Sequence, residues 1–320
     1  MTNVLITGID GFVGNHLARC LLTQPDVRIF GIVRDRNYSA AINDIRDRLR
    51  VHEADINDRD KTAAAIGECR PDRIFHLAGQ AYVPEAVKNP LETFQTNILG
   101  SLHVLEAVRA EFPKCSILVI SSGEVYGIVD PARMPVDESF PINPHTPYSA
   151  SKACLDLLAQ QYRTIFGLNA VIARAFNHLG PGQSEMFAGS SFAKQIVEAK
   201  LGLREKKIFV GNLDNRRDFT DVRDVVRAYV GLLDRKYEHG IFNVCSGRAV
   251  AMKDLLATLI RISGVPMEVV SDPHRFRAVD NPLMIGSAAR LKAATGWIPS
   301  IPLEQTLADI LEYWEKRLAK

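Results

Sequence analysis

The chain has 320 residues, 47% of them hydrophobic, and carries 39 Lys plus Arg against 37 Asp plus Glu. That is apolar material for one large core or two modest ones, and the balanced charge excludes the global basic field that nucleic acid needs and the polybasic run of a membrane-surface protein. Five scattered cysteines without a CxxC pair exclude a readable disulfide framework or zinc knuckle, and no apolar run reaches membrane-spanning length. NVLIT then begins a strand within three residues and runs into Gly8, Asp10 and Gly11. This leaves no charged and apolar leader, so a reducing cytoplasm is the expected compartment, and no metal site is expected.

Short β-branched runs alternate with longer helical patterns: NVLIT, VRIFGIV from 27, RIFHLAG from 73, SILVISS from 116 and NAVIARAF from 169. Strands so continuously apolar are usually buried on both faces. The expected fold class is therefore α/β, a Rossmann-type doubly wound parallel sheet with helices above and below and a smaller C-terminal lobe for substrate. Amphipathic helices are predicted over 92–112 and 148–166. After about residue 175 the rhythm loosens into HLGPGQ, a helical SSFAKQIVEAKLG, IFVGN, RRDFTDVRDVVRAYVGLL, a strand-like FNVCSG and a terminal helix TLADILEYWEKRLAK. The expected division is 1–175 for a dinucleotide domain that also receives segments near 215–245, and mainly 176–320 for the second lobe.

The first chemical motif is ITGIDGFVG, with Gly8, Gly11 and Gly14 between the first strand and its helix. Glycines there let the backbone turn tightly and approach a pyrophosphate, which sits at the positive end of the helix. A tight turn with no ligand is the plainer reading; the strand before, the helix after and the parallel rhythm favour a dinucleotide. About 20 residues further on, where an acid would serve NAD, stands Arg34. A guanidinium there matches the 2′-phosphate of NADP, although an exposed loop arginine is common, so NADP(H) is the expected cofactor and NAD(H) the alternative. Asp55 and Ile56 after the third strand, and Leu77, Ala78 and Gly79 after the fourth, would flank the riboses.

The second motif is YSASK, which puts Tyr148 and Lys152 four apart on one helix face. A nearby ammonium and an oxidised nicotinamide both stabilise a phenolate, making Tyr148 a usable acid or base. Ser122, ending the preceding strand, could hold the same substrate oxygen. Alone, YxxxK also fits an ordinary surface helix. It gains meaning from the glycine turn and the Ser-ended strand that precede it.

With TGxxGxxG, LAG, SSGEVYG, PYSASK and RDFTDVRDV in place, the whole chain resembles the extended short-chain dehydrogenase/reductases that act on nucleotide sugars. The resemblance implies Ser122, Tyr148 and Lys152 as the catalytic set, and Gly8, Gly11, Phe12, Val13, Gly14, Arg34, Asp55 and Ile56 as dinucleotide contacts. AGQAYVPEA at 78–86, FNHLGPGQ at 176–183, VGNLDNRRDFTDVRDV at 210–225 and NVCSG at 243–247 are similar to one subgroup, the GDP-4-keto-6-deoxy-D-mannose reductases that make GDP-D-rhamnose. That similarity implies a GDP-sugar partner whose diphosphate is held by Asn177, Arg217 and Arg277, with Lys194 as a further candidate, and a homodimer formed through 92–112 and 148–166. Arginine forks suit phosphate oxygens, though such residues otherwise read as surface charges.

Glu124 separates the reactions this scaffold runs. A 4,6-dehydratase needs a further acid and base, and dehydratases resembling this chain carry TDE or TSE where it has Ser122, Gly123 and Glu124. Gly123 supplies no acid. A 3,5-epimerase-reductase would place a cysteine in this loop, and none lies between 116 and 153. A 4-epimerase asks only for the Ser, Tyr and Lys set. A simple 4-ketoreductase asks the same, leaving Glu124 to catalyse, to bind a sugar hydroxyl or merely to end a strand. A dinucleotide-binding sensor without catalysis would tend to lack Tyr148 or Lys152, and both are present.

Overall fold

The structure, a computed structural model, describes residues 1–35, 40–234, 240–276 and 281–319. Strands β1 (Thr2–Thr7), β2 (Val27–Val33), β3 (Leu49–Glu53), β4 (Arg73–His76), β5 (Ser116–Ser122) and β6 (Asn169–Ala175) build the central sheet. Between them run helices α1 (Phe12–Leu21), α2 (Arg59–Cys69), α3 (Val83–Lys88), α4 (Pro90–Phe94), α5 (Ser101–Glu111) and α6 (Pro147–Phe166). Beyond them the chain forms β7 (Asn177–Leu179), α7 (Ala188–Lys200), β8 (Lys207–Val210), β9 (Arg216–Asp221), α8 (Val222–Asp234), β10 (Ile241–Val244), β11 (Ala249–Ala251), α9 (Met252–Ser263), β12 (Glu268–Ser271), β13 (Leu283–Met284), α10 (Ala289–Thr295) and α11 (Leu303–Leu318).

The seven-stranded sheet has the order β10-β6-β5-β4-β1-β2-β3 and is parallel throughout. Consecutive residues Val4, Leu5 and Ile6 are all fully buried, and they divide by the strand's period of two. Val4 and Ile6 join a core with Leu17 of α1 and Tyr229 of α8, whereas Leu5 joins Ile66 of α2, Val104 of α5 and Leu155 of α6 on the opposite face. A third core, from Phe192, Ile196, Leu255, Leu307 and Trp314, knits α7, α9 and α11 into the second lobe. The strand read from FNVCSG is β10, which closes the edge of the large sheet against β6.

Helix α6 begins at a capping box, Thr146 against Ser149, with Pro147 in its first turn, and ends at Gly167 in the left-handed region at φ 67°. The helix predicted over 92–112 is interrupted: α4 and α5 are joined by a turn of π-helix, Gln95–Gly100. Such turns insert one extra residue into a helix and tend to mark functional sites. Here the turn is held by Asn97, which is 1% exposed and hydrogen-bonded away from its own helix.

Candidate active site

All first-domain strands point their C-terminal ends at one sheet edge, and on either side of β1 and β4 the chain runs off in opposite directions. That reversal is where open α/β sheets bind ligands. Gly8 sits at φ 70°, and a β-carbon there would lie 3.1 Å from the Ala78 backbone; one on Gly14 would meet the Gly8 carbonyl at 2.2 Å. Only glycine lets the turn, the start of α1 and the loop after β4 lie so close together. No side chain caps α1 and its first turn holds no acid, so the end of the helix stays receptive to an anion.

Behind this turn lies a string of hydrogen bonds whose directions can be deduced. The Thr7 hydroxyl accepts from the backbone N–H groups of Leu77 and Ala78, both at 3.1 Å, so its proton goes to Nδ1 of buried His76 at 2.8 Å. His76 then carries hydrogen on Nε2 and donates to Ser101 at 2.8 Å, and Ser101 donates to the Asn97 carbonyl at 2.8 Å. Burial, helped by the Lys152 charge, pushes the His76 pKa down to about 3, so the ring stays neutral. The Asn97 side chain accepts from the Gln80 N–H at 2.7 Å and donates to the Gln80 carbonyl and the Ser151 hydroxyl, both at 2.9 Å. One amide thus ties the 79–80 loop to α6 beside Lys152.

At the end of β5, Ser122 accepts from the Glu124 N–H at 3.1 Å and stands near the Tyr148 phenol. One helical turn on, buried Lys152 donates to the Ile120 carbonyl at 2.9 Å. Burial lowers the Lys152 pKa to about 8. Burial also raises Tyr148 to about 12, opposed by the nearby Ser122 hydroxyl and reinforced by the Glu124 charge. The Glu124 carboxylate accepts no hydrogen bond and makes no ion pair with any described residue.

These groups converge on a cavity of about 320 Å³. Gly8, Gly11, Phe12, Val13, Gly14, Leu77 and Gly79 line one part, Ser122, Glu124, Tyr148 and Lys152 the middle, and Asn177 the far wall. Arg34 stands exposed in the bend after β2, while Asp55 is half-buried after β3 and accepts from the Asn57 N–H at 2.9 Å. Ile56 is buried and Ala78 half-buried. These four share the sheet edge without lining the cavity. Lys194 lies on α7, away from it, its ammonium 2.9 Å from Glu185 and over the Trp314 ring. Arg217 is buried on β9 and donates to the Arg216 carbonyl. Arg277 lies outside the described residues.

Several site residues escaped the sequence reading: Asn97, His76, His178, Gln183 and Tyr229. His178 stacks on Phe12, ring centroids 6.0 Å apart and 9° from parallel, and donates from Nδ1 to the Phe176 carbonyl. Burial lowers its pKa, leaving Nε2 as an acceptor. Gln183 donates to the His178 carbonyl at 2.9 Å, which fixes its amide orientation and leaves its buried oxygen without a partner. The Tyr229 hydroxyl is likewise buried without a partner. Both residues line the cavity. In sequence, the only signal was polarity inside apolar runs, as in FQTNILG and RAYVGLL. The glycine cradle, the open helix end and these two orphaned groups fit a dinucleotide beside a polar substrate. Among the described residues no cluster of three or more His, Cys, Asp or Glu could hold a metal ion.

Residues 5–310 match the family model described as GDP-mannose 4,6 dehydratase. The chain is 39% identical over 316 residues to a GDP-6-deoxy-D-mannose reductase of Pseudomonas aeruginosa, with 98% of each covered. Its fold superposes on RMD from Pseudomonas aeruginosa complexed with NADPH, with a TM-score of 0.87, 37% identity and coverage of 99% and 100%. It also superposes on a UDP-glucose 4-epimerase with UDP-glucose from Thermotoga maritima, with a TM-score of 0.89, 27% identity and 99% of each chain covered.

Proposed function

The chain belongs to the GDP-mannose 4,6-dehydratase family, and within it we propose a reductase that converts GDP-4-keto-6-deoxy-D-mannose to GDP-D-rhamnose at the expense of NADPH, with NADH as the alternative donor. The observation that carries this reading is at Gly123. A β-carbon there would lie 3.0 Å from three carbons of the Phe176 ring, closer than ordinary contact. The slot in which resembling dehydratases carry an additional side chain is therefore filled by an aromatic ring. Among the described lining residues Glu124 is the only carboxylate and none is a cysteine, so dehydration and ring-carbon epimerisation lack part of their usual acid and base sets.

Gly8, Gly11, Phe12, Val13, Gly14 and Arg34 would hold the dinucleotide, with Asp55, Ile56 and the 77–79 loop beside its riboses, and when bound it would supply the hydride. Ser122 orients the C4 carbonyl oxygen, and Tyr148 gives it the proton. Lys152, charged below about pH 8, favours the phenolate that this transfer leaves behind and binds ribose. Asn177, Arg217, Arg277 and Lys194 remain the proposed diphosphate contacts.

A second reading is favoured by one observation: the Glu124 carboxylate is unpartnered and close enough to raise the Tyr148 pKa, as a C5 base of a dehydratase would be. Purified protein given GDP-4-keto-6-deoxy-D-mannose and NADPH should consume NADPH in stoichiometry with a GDP-6-deoxyhexose. Conversion of GDP-mannose to the 4-keto-6-deoxy sugar without net NADPH use would replace the reductase by the dehydratase.

The homodimer belongs to the same proposal. Leu91 (78% exposed), Ile165 (61%), Val87 and Leu157 (57% each) and Leu99 (51%) offer apolar contacts from α3, α4, the π turn and α6. A reducing cytoplasm is supported by five free cysteines. No helix among the described residues is long and apolar enough to cross a membrane.

A further inference from the structure

Tyr229 stands out as a buried polar group with no task inside the protein. Its side chain is 0% exposed, it packs among Ile6, Ile9, Leu118, Ala175 and Val244, and its hydroxyl meets no hydrogen-bond partner. An unsatisfied buried hydroxyl costs about 1–3 kcal/mol, and phenylalanine would fill the same space without that cost. The contrast with its surroundings is sharp, because the Thr7, His76, Ser101 and Asn97 groups are hydrogen-bonded in one continuous string. Yet Tyr229 is part of the cavity wall. Helix α8 brings it there by packing on α1, and Phe12, Val13 and Ile120, which also line the cavity, pack against the same core.

We propose that the Tyr229 hydroxyl hydrogen-bonds the bound nicotinamide dinucleotide at its reacting end, making Tyr229 a positioning residue for the ring that gives up hydride. The inference rests on the reading that this cavity takes such a cofactor. Burial raises the phenol's pKa, and the neighbouring Tyr148 raises it further, so it stays protonated and donates. The carboxamide of a nicotinamide ring would carry the matching acceptor, and Tyr148 and Tyr229 line the same cavity. With the dinucleotide absent the hydroxyl is a burden; with it bound the same group is satisfied. Stability and affinity are therefore set against each other at one atom.

Tyr229→Phe in the full-length protein separates this from a merely structural tyrosine. Thermal unfolding of the unliganded variant should occur at the same temperature as wild type or a few degrees higher. Fluorescence titration should show NADPH bound about five- to tenfold more weakly. Affinity for 2′-phospho-ADP-ribose, which lacks the nicotinamide, should not change. Equal NADPH affinity in variant and wild type overturns the proposal, as does equal weakening for both ligands, which would mean a general disturbance of the fold. A wild-type protein that binds neither ligand removes the dinucleotide reading itself, and the inference with it.

Discussion

At Gly123 the proposed reading of the reaction rests on one missing β-carbon, whose place the Phe176 ring takes. Gly123→Asp alone should lower reductase kcat/KM more than about tenfold through overpacking against Phe176, and the added change Phe176→Ala should restore part of it, measured by NADPH consumption. Tyr148→Phe should leave NADPH affinity within about twofold while cutting turnover by about 10²–10⁴. Glu124→Gln should spare ketone reduction within a few-fold; a collapse of ketone reduction would make Glu124 part of the reductase. Because Lys152 titrates near 8, kcat/KM for the ketone should fall as pH rises through that value, the limb belonging to loss of the ammonium. The residues legible in sequence were those whose spacing is itself the chemistry: glycines at a turn, and Tyr148 and Lys152 one helical turn apart. Gln183 and Tyr229 were not, because an orphaned oxygen is defined by the atoms that fail to surround it, and those come from distant segments.

Helices and strands were foreseen where burial repeats locally, and missed where one side chain overrides the repeat. The apolar period across 92–112 predicts an unbroken helix, but the contacts of Asn97 to Gln80 and Ser151 stabilise an extra residue in the π turn. The string from Thr7 through His76 to that turn makes a further prediction, for acid stability. The pKa of His76 drops from 6.5 to about 3 on folding, so the unfolded chain binds more protons between those values. Stability from this group is complete above about pH 6.5 and is lost as pH falls toward 3, on the order of 5 kcal/mol in all. His76→Asn should flatten that slope by about one proton in urea titrations taken across the range. At pH 7 it should cost about 1–3 kcal/mol, as the Thr7 and Ser101 hydroxyls lose their partner.

For the whole molecule, the parallel sheet was legible because burial on both faces leaves continuously apolar strands, and segments near 215–245 were expected to return to the first domain, whereas short strands such as β11 and β13 were not read. β10, read from FNVCSG, completes the large sheet, and α8 covers one of its faces beside α1. The exposed apolar side chains of α3, α4 and α6 lead to an assembly prediction: light scattering should give twice the mass of one chain, and Leu91→Glu with Ile165→Glu should halve it without lowering the unfolding temperature by more than a few degrees. The order of the chain has one more consequence, for inheritance. It leaves the sheet after β6, builds α7, β8 and β9, and only then returns with α8 and β10 before leaving again. A single recombination near residue 175 would therefore give one parent's sheet a foreign edge strand and a foreign covering helix. A simple swap of halves between relatives should yield chimaeras that misfold, whereas paired crossovers that keep 222–244 with the first 175 residues should fold.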